Sequence, residues 1–198
     1  MLTTYRGIPT MTSDLRDRKA TLRSRLLAAR RSLSAEVRTL EAAALAAHVA
    51  ALDVAPDQTV CAFLPVGSEP GDASWLDGLR CRVLLPIVTG DSPLDWAVHT
   101  GPSGLAPAGF KLLEPTGPRL GASAIAGASL VLVPALAVSV DGVRIGKGQG
   151  HYDRSLPLVK APLIGVVRDS EVLSDVPGEP HDVRMNGVLT PSVGLRWL

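Results

Sequence analysis

A short glycine-rich segment carries the residue types best suited to binding a phosphate group. Residues 144–152 read RIGKGQGHY, with glycines at the alternate positions 146, 148 and 150. Glycine adopts backbone conformations that are closed to other residues, and its amide group can approach an anion closely. Arg144 and Lys147 add two positive side chains to the same stretch. The pattern therefore predicts a phosphate-binding loop.

Three other interpretations of this segment fit less well. The P-loop motif needs Ser or Thr directly after its lysine, but Gly148 follows Lys147. The dinucleotide fingerprint needs a third glycine where His151 stands. A plain flexible connection between two elements has no need of two positive charges or of the Tyr-Asp-Arg sequence that follows. We therefore favour binding of a phosphorylated ligand.

Two aspartates are candidate ligands for a metal ion beside such a phosphate. Asp153 falls in the first turn of a helix predicted to begin near His151, whose positive end would add to the loop. A carboxylate there can simply favour the helix dipole, but beside a triphosphate it is well placed to bind Mg²⁺. Asp182 lies in the sequence EPHD, which by itself is typical of a surface turn.

The first helix and one loop add three further candidates. Lys19 falls within an apolar stripe of that helix and Arg23 at its edge, so both could reach a phosphate. The alternative, that Lys19 extends past the helix into solvent, is equally open. Glu69 follows a predicted buried strand, and ligands of open α/β sheets bind at that end of the strands. A solvated loop glutamate remains the ordinary interpretation.

Apolar periodicity predicts the elements that position these residues. One helix is predicted from Asp14 to about Ser32, and a second follows the N-cap candidate Ser34. The inner face of the second helix is predicted to carry Val37, Leu40, Leu45, Val49 and Leu52. Short apolar runs predict strands at residues 59–64, 82–86, 94–98, 129–134, 162–167 and 187–190, with a short helix at 72–79 and a loop at 101–109.

This alternation of strands and helices predicts an α/β fold. We expect a single three-layer αβα domain over residues 14–198, with a mostly parallel sheet and an N-terminal helical pair. Residues 1–13 are expected to form a loose tail. No internal repeat or linker divides the chain.

Composition narrows the class of protein. The formal net charge of +1 gives no field that favours nucleic acid or an anionic membrane as partner. Two cysteines, Cys61 and Cys81, cannot supply a four-thiolate zinc site, and we expect both to be reduced. No apolar run reaches the ~20 residues that span a bilayer. We expect a soluble, cytoplasmic, monomeric protein.

Taken together, these segments resemble the 5-formyltetrahydrofolate cyclo-ligase family, also called 5,10-methenyltetrahydrofolate synthetase. The resemblance extends from about Arg18 to Pro191. Its anchors occur in family order: KATLR at 19–23, FLPVGSEPGD at 63–72, VLLP at 83–86, LVPALAVSVDGVRIGKGQGHYDRSL at 132–156, and EPHD at 179–182. The glycine-rich block ending in Tyr-Asp-Arg is the anchor specific to this family.

The resemblance implies an ATP- and Mg²⁺-dependent reaction on a reduced folate. ATP would phosphorylate the formyl oxygen of 5-formyltetrahydrofolate, N10 would attack the activated carbon, and 5,10-methenyltetrahydrofolate, ADP and phosphate would result. Phosphoryl transfer depends mainly on positioning and charge neutralisation, so the lack of a nucleophilic Ser-His or Cys-His pair fits.

The resemblance also assigns roles to residues. The predicted ATP contacts are Lys19, Arg23, Arg144, Ile145, Gly146, Lys147, Gly148, Gln149, Gly150, His151 and Tyr152. The predicted folate contacts are Leu64, Glu69, Lys147, Gly148, Gln149, Gly150 and His151. Catalytic roles fall to Lys147 and Tyr152, and magnesium binding to Asp153 and Asp182.

The chain departs from the family pattern at His151 and, with less consequence, at Gln149, a loop position that is often Gly or Lys in the family. His151 stands where the family usually has tyrosine, and a histidine can still stack and donate a hydrogen bond but titrates near neutral pH. Two other classes of function stay open at this point. One is a non-catalytic folate- or nucleotide-binding paralogue, and the other is an α/β enzyme acting on a different formylated or phosphorylated compound.

Overall fold

The computed structural model of the chain describes residues 11–109 and 113–198. Three α-helices are found there: α1 (Met11–Ser32), α2 (Ala35–Ala50) and α3 (His151–Ser155). The strands are β1 (Thr59–Cys61), β2 (Arg82–Ile87), β3 (Asp95–Val98), β4 (Leu105–Pro107), β5 (Leu113–Pro115), β6 (Leu130–Pro134), β7 (Ala137–Ser139), β8 (Arg144–Ile145), β9 (Leu163–Val166), β10 (Val172–Leu173), β11 (Gly187–Thr190) and β12 (Gly194–Trp197). Short 3₁₀ helices occupy several connections, including Ala73–Gly78 and Ala122–Gly127.

A seven-stranded sheet forms the centre of the molecule, in the order β12-β11-β9-β6-β1-β2-β3. Its five inner strands run parallel, and the edge strands β3 and β12 pair antiparallel. The inner strands are buried on both faces because each is a continuous apolar run, as in β6. The predicted α/β class with a mostly parallel sheet is confirmed.

Apolar layers cover both faces of this sheet. On one face, Leu45 and Val49 of α2 pack with Trp75 against the strands. On the other face, Trp96, Ile125 and Leu156 pack against the alternate side chains of the same strands. The strands thus lie in the middle of three layers, as the alternation in the sequence predicts.

Helix α1 packs mainly on a second, small sheet. Leu22 and Leu26 contact a cluster that includes Leu136 and Ile145, in and beside the β7–β8 hairpin. The helix begins at Met11, three residues before the predicted start. The remainder of the predicted tail, residues 1–10, lies outside the described residues. This packing places α1 beside the loop that follows β8.

Several element predictions were wrong in detail. The strand predicted at 59–64 ends at Cys61, because the chain turns there to form the site. The stretch 101–109, predicted as loop, contains a 3₁₀ helix (Pro102–Gly104) and strand β4. Val37 and Leu40 are exposed at 39% and 65%, since only the C-terminal half of α2 reaches the sheet. The two- and three-residue strands β4, β5, β7, β8 and β10 and the edge strand β12 were not predicted.

The structure also bears on the expectations about the two cysteines and about membrane-spanning segments. Cys61 and Cys81 are both free thiols, the first buried and the second half-buried. Burial raises the pKa of Cys61 to about 12, which keeps this thiol protonated and unreactive at neutral pH. Of the helices described, none is long and apolar enough to cross a membrane.

Candidate functional site

A cavity of about 360 Å³ opens at the carboxyl edge of the central sheet. The segments at the ends of β1, β2 and β6 form its walls. In the sheet, β1 lies between β2 and β6: the chain passes from β1 to its neighbour β2 and later returns to form β6 on the other side of β1. Ligands of open α/β sheets bind at such a reversal. The lining residues are Arg23, Phe63, Leu64, Val66, Glu69, Leu85, Pro86, Val88, Leu94, Leu113, Glu114, Pro134, Ala135, Arg144, Gly146, Lys147, Gly148, Gln149, Gly150, His151, Tyr152 and Asp153.

The glycine-rich loop, residues 146–150, forms one wall of this cavity between β8 and α3. Gly148 and Gly150 have φ values of +95° and +72°, which a residue with a side chain rarely adopts. Nε of Arg23 donates to the carbonyl oxygen of Gly146 over 2.9 Å. The guanidinium of Arg23 also passes so close to Gly148 that a Cβ there would lie 3.6 Å from it. Arg23 of α1 is therefore brought to the loop, as predicted.

Helix α3 begins at His151, as predicted, but is only five residues long before a 3₁₀ turn follows. Its backbone dipole is correspondingly small, because the dipole sums over aligned peptide units. The loop amides and the positive side chains must supply most of any attraction for an anion.

Arg144 is held under the loop by three kinds of contact. Its side chain is only 7% exposed and forms an ion pair with Asp153. It also donates to the carbonyl oxygen of Pro134 and lies 5.9 Å from the centre of the Tyr152 ring. Burial lowers the pKa of Arg144 and the charge of Asp153 opposes that shift, so the guanidinium stays charged.

Lys147 and Glu69 form an ion pair across the cavity wall, with 2.7 Å between Nζ and Oε1. The Glu69 side chain is 10% exposed, and its Oε2 accepts a hydrogen bond from the backbone N–H of Val66 over 2.8 Å. The Glu69 carboxylate thus accepts from the backbone of its own turn through Oε2, which fixes its position. Its other oxygen, Oε1, is paired with Lys147.

Tyr152 lines the same cavity, but its hydroxyl is buried beneath the cavity surface. This hydroxyl has no hydrogen-bond partner among the described residues. Burial raises the pKa of Tyr152, and the nearby Cys61 and Glu69 reinforce that rise, while Arg144 opposes it. The phenol therefore remains protonated and can donate to a ligand.

Lys19 and Asp182 meet each other beside this cavity rather than in its lining. Nζ of Lys19 lies 3.5 Å from Oδ2 of Asp182 and 3.8 Å from a carboxylate oxygen of Glu179. Lys19 therefore does not simply extend into solvent. Potential ligand atoms of Glu179, His181 and Asp182 lie within 4.8 Å of one another, a grouping that the sequence analysis did not recognise.

Most predicted site residues thus converge on one cavity. Leu64, Glu69, Arg23 and Arg144 line it, together with the loop and the start of α3. Ile145 is the exception within the glycine-rich segment, because its side chain packs in the core against α1. Lys19 and Asp182 stand apart from the lining, and their predicted roles, like the others, stay predictions.

Glu114 of β5 was missed by the sequence analysis. It lines the cavity opposite the glycine loop and accepts a hydrogen bond from the N–H of Val88 over 2.9 Å. Nothing in the local sequence LLEP distinguishes this residue from a surface glutamate. The pairing of β4 with β5 and the hydrogen bond to Val88, which follows β2, hold it at the site.

Comparison with known proteins connects this geometry to a family. A model of the 5-formyltetrahydrofolate cyclo-ligase family matches residues 16–191. A 5-formyltetrahydrofolate cyclo-ligase of Mycolicibacterium smegmatis is 46% identical over 187 residues, which cover 89% of this chain and 95% of that protein.

Two solved structures are similar in fold. The 5,10-methenyltetrahydrofolate synthetase of Aquifex aeolicus has a TM-score of 0.77 and 26% identity, covering 91% of this chain and 92% of its own. The 5,10-methenyltetrahydrofolate synthetase of Mycoplasma pneumoniae has a TM-score of 0.67 and 21% identity, covering 86% and 96%. At that level of identity the second similarity concerns the fold alone.

Proposed function

The chain belongs to the 5-formyltetrahydrofolate cyclo-ligase family and is an enzyme of that class, and on this premise we propose that it converts 5-formyltetrahydrofolate to 5,10-methenyltetrahydrofolate with ATP and Mg²⁺. The γ-phosphoryl group passes to the formyl oxygen, and N10 attacks the formyl carbon and loses its proton. The carbon–oxygen bond then breaks and phosphate leaves. ADP and phosphate are the other products.

One observation supports this proposal above all others. Lys147 of the glycine loop and Glu69 of the β1 loop pair across a single cavity, so a phosphate-binding element and a fixed carboxylate face the same space. A reaction between a nucleotide and a folate needs this proximity, because reactants held together react as one molecule.

The loop side of the cavity suits the triphosphate. Its amides, with Arg23, Arg144 and Lys147, offer donors of the kind that bind phosphate oxygens. Arg144 and Lys147 are each paired with a carboxylate in the free protein. ATP would therefore compete with Asp153 and Glu69 for these two side chains.

The opposite side suits the pterin part of the folate. Glu69 presents a carboxylate, which accepts hydrogen bonds from ring N–H groups. Leu64, Phe63 and Leu85 supply apolar surface beside it. When the pterin engages Glu69, Lys147 is released from its partner and can turn toward the transferring phosphoryl group.

We propose that Lys147 and Tyr152 act on the reacting atoms. Lys147 stabilises the negative charge that spreads over the phosphoryl oxygens during transfer. The hydroxyl of Tyr152, which has no partner among the described residues, stays protonated; once the ring turns to bring this buried group into the cavity, it can donate to the formyl oxygen or to the phosphate that forms on it. Neither residue needs to form a covalent bond.

We propose that Asp153, in the cavity lining, and Asp182, beside it, would hold Mg²⁺ once the ion displaces their cationic partners Arg144 and Lys19. Asp153 and Asp182 offer hard carboxylate oxygens, the ligands that this ion prefers. Asp153 is 68% exposed, so it is open to an ion that keeps several waters. Bound Mg²⁺ would neutralise charge on the β- and γ-phosphates.

The direct test supplies the purified protein with ATP, Mg²⁺ and 5-formyltetrahydrofolate. We expect methenyltetrahydrofolate, followed by its near-ultraviolet absorbance, and stoichiometric ADP. Binding of both ligands without turnover would indicate a non-catalytic paralogue. Failure to bind either ligand would contradict the proposal altogether.

Substitution of Lys19 by alanine should raise the KM for ATP by about five- to tenfold. The expected size is that of one charge-assisted contact to a phosphate. Initial rates at saturating folate and varied ATP would measure it. Arg18→Ala is the matched control, because Arg18 is a neighbouring exposed cation that pairs with Asp175. Equal KM values for the two variants would contradict a nucleotide contact by Lys19.

A further inference from the structure

A buried network of charged side chains lies behind the cavity wall. Arg30 of α1 donates to both carboxylate oxygens of Glu171, over 2.6 and 2.7 Å. The backbone N–H of Arg168 donates to the same Glu171, and the Arg168 side chain donates to Glu41 of α2 over 2.7 Å. Arg30, Arg168 and Glu171 are each less than 5% exposed.

Stability alone is a weak reason for such a network. Removing charges from water is costly, and apolar residues of similar size often stabilise a fold as well or better. The four side chains carry two positive and two negative charges, so the group is neutral when complete. The role of this network must therefore lie in the segments of the protein that it holds in place.

The network makes two further contacts, and both are to backbone carbonyls at the cavity. Arg30 donates to the carbonyl oxygen of Ala135, a lining residue, over 2.7 Å. Arg168 donates through Nη1 to the carbonyl oxygen of Ser68 over 3.0 Å. Ser68 directly precedes Glu69.

The Ser68 contact ties the Glu69 turn to the body of the protein. The turn is held internally by the Glu69 N–H to the Val66 oxygen and by the Val66 N–H to the Glu69 carboxylate. Outside the turn, the Glu69 carboxylate pairs with Lys147, whose side chain is 41% exposed. Arg168 holds the backbone of the turn, because its guanidinium donates to the Ser68 carbonyl while its own backbone N–H donates to the buried Glu171.

We propose that Arg168 is a positioning residue that sets the direction of the Glu69 carboxylate toward the folate. The inference rests on the proposed function of this cavity. It assigns to Arg168 a larger effect on folate binding than on nucleotide binding, because Glu69 would contact the folate directly and would affect the nucleotide only through its pairing with Lys147.

The test compares Arg168→Lys with Glu41→Gln. The lysine keeps the positive charge but loses the fork that spans two acceptors. We expect the KM for 5-formyltetrahydrofolate to rise about tenfold, the size of one lost hydrogen bond to a charged group, with the KM for ATP changed less than about twofold. Glu41→Gln removes the charge of the other side-chain partner of Arg168 but keeps an acceptor oxygen and the Ser68 contact, so its folate KM should match the wild type.

Two results would overturn the inference. One is an unchanged folate KM in Arg168→Lys, and the other is an equal rise in Glu41→Gln, which would indicate a merely structural role. If Arg168→Lys does not fold, the double variant Arg168→Gln/Glu41→Gln, which removes one charge of each sign, should show the same selective rise. An inactive wild type would instead refute the proposed function itself.

Discussion

Replacing Lys147 with methionine should lower kcat by about two to three orders of magnitude, the range found when one preorganised donor to a developing negative charge is removed. The ammonium of Lys147 lies at the junction of the glycine loop and the Glu69 turn. No backbone amide can supply a full positive charge there. Methionine keeps the length of the side chain, so the loop itself should stay in place.

Initial-rate measurements with both substrates varied would check this expectation. The KM values should change much less than kcat, because the charge develops in the transition state. Lys160→Met is the control, since Lys160 is an exposed lysine outside the cavity lining. A Lys147→Met enzyme within about tenfold of the wild-type kcat would contradict the catalytic role.

Replacing Asp153 with asparagine should reduce turnover by about a thousandfold or more and leave the fold intact. Under the proposed function, the substitution removes the charge of a magnesium ligand beside the triphosphate, a contribution on the order of several kcal/mol to transition-state stabilisation. Asparagine still offers an oxygen to the guanidinium of Arg144, which also keeps its contacts to Pro134 and Tyr152. The loss should therefore appear in chemistry and not in folding.

Mg²⁺ titration of the residual activity, with circular dichroism of the same sample, separates these two effects. The Asp153→Asn protein should need more Mg²⁺ to reach its lower maximum. Asp141→Asn, a change at an exposed aspartate outside the cavity lining, should behave like the wild type. Full activity of Asp153→Asn at ordinary Mg²⁺ would remove Asp153 from the metal site.

Sequence patterns were sufficient for the elements that are long or uniformly apolar. Strand β6 and helix α2 follow directly from a continuous apolar run and from an N-cap with 3.6-residue spacing. The short strands β7 and β8 do not, because three- and two-residue strands carry no period of their own. They exist because they pair with each other and because β7 also pairs with β10, which lies far along the chain.

In the candidate site, too, sequence patterns predicted some features and not others. Glycine spacing predicted the positive-φ loop, and the stripe position of Arg23 predicted its approach to that loop. The partners of Lys147 and Lys19 could not be predicted, since Glu69 and Asp182 are far away in sequence. Apolar periodicity also gave no sign that α1 buries Arg30, whose charge is satisfied by Glu171.

The pairing of Lys19, Arg144 and Lys147 with carboxylates has a kinetic consequence for how ATP arrives. A charge next to its opposite projects little potential into the solvent beyond a few ångströms. With a chain that is nearly neutral as a whole, the free enzyme has no strong electrostatic funnel for a polyanion. Under the proposed function, nucleotide capture would therefore be governed by a local exchange of partners after collision, and selectivity would reside in that exchange rather than in long-range attraction.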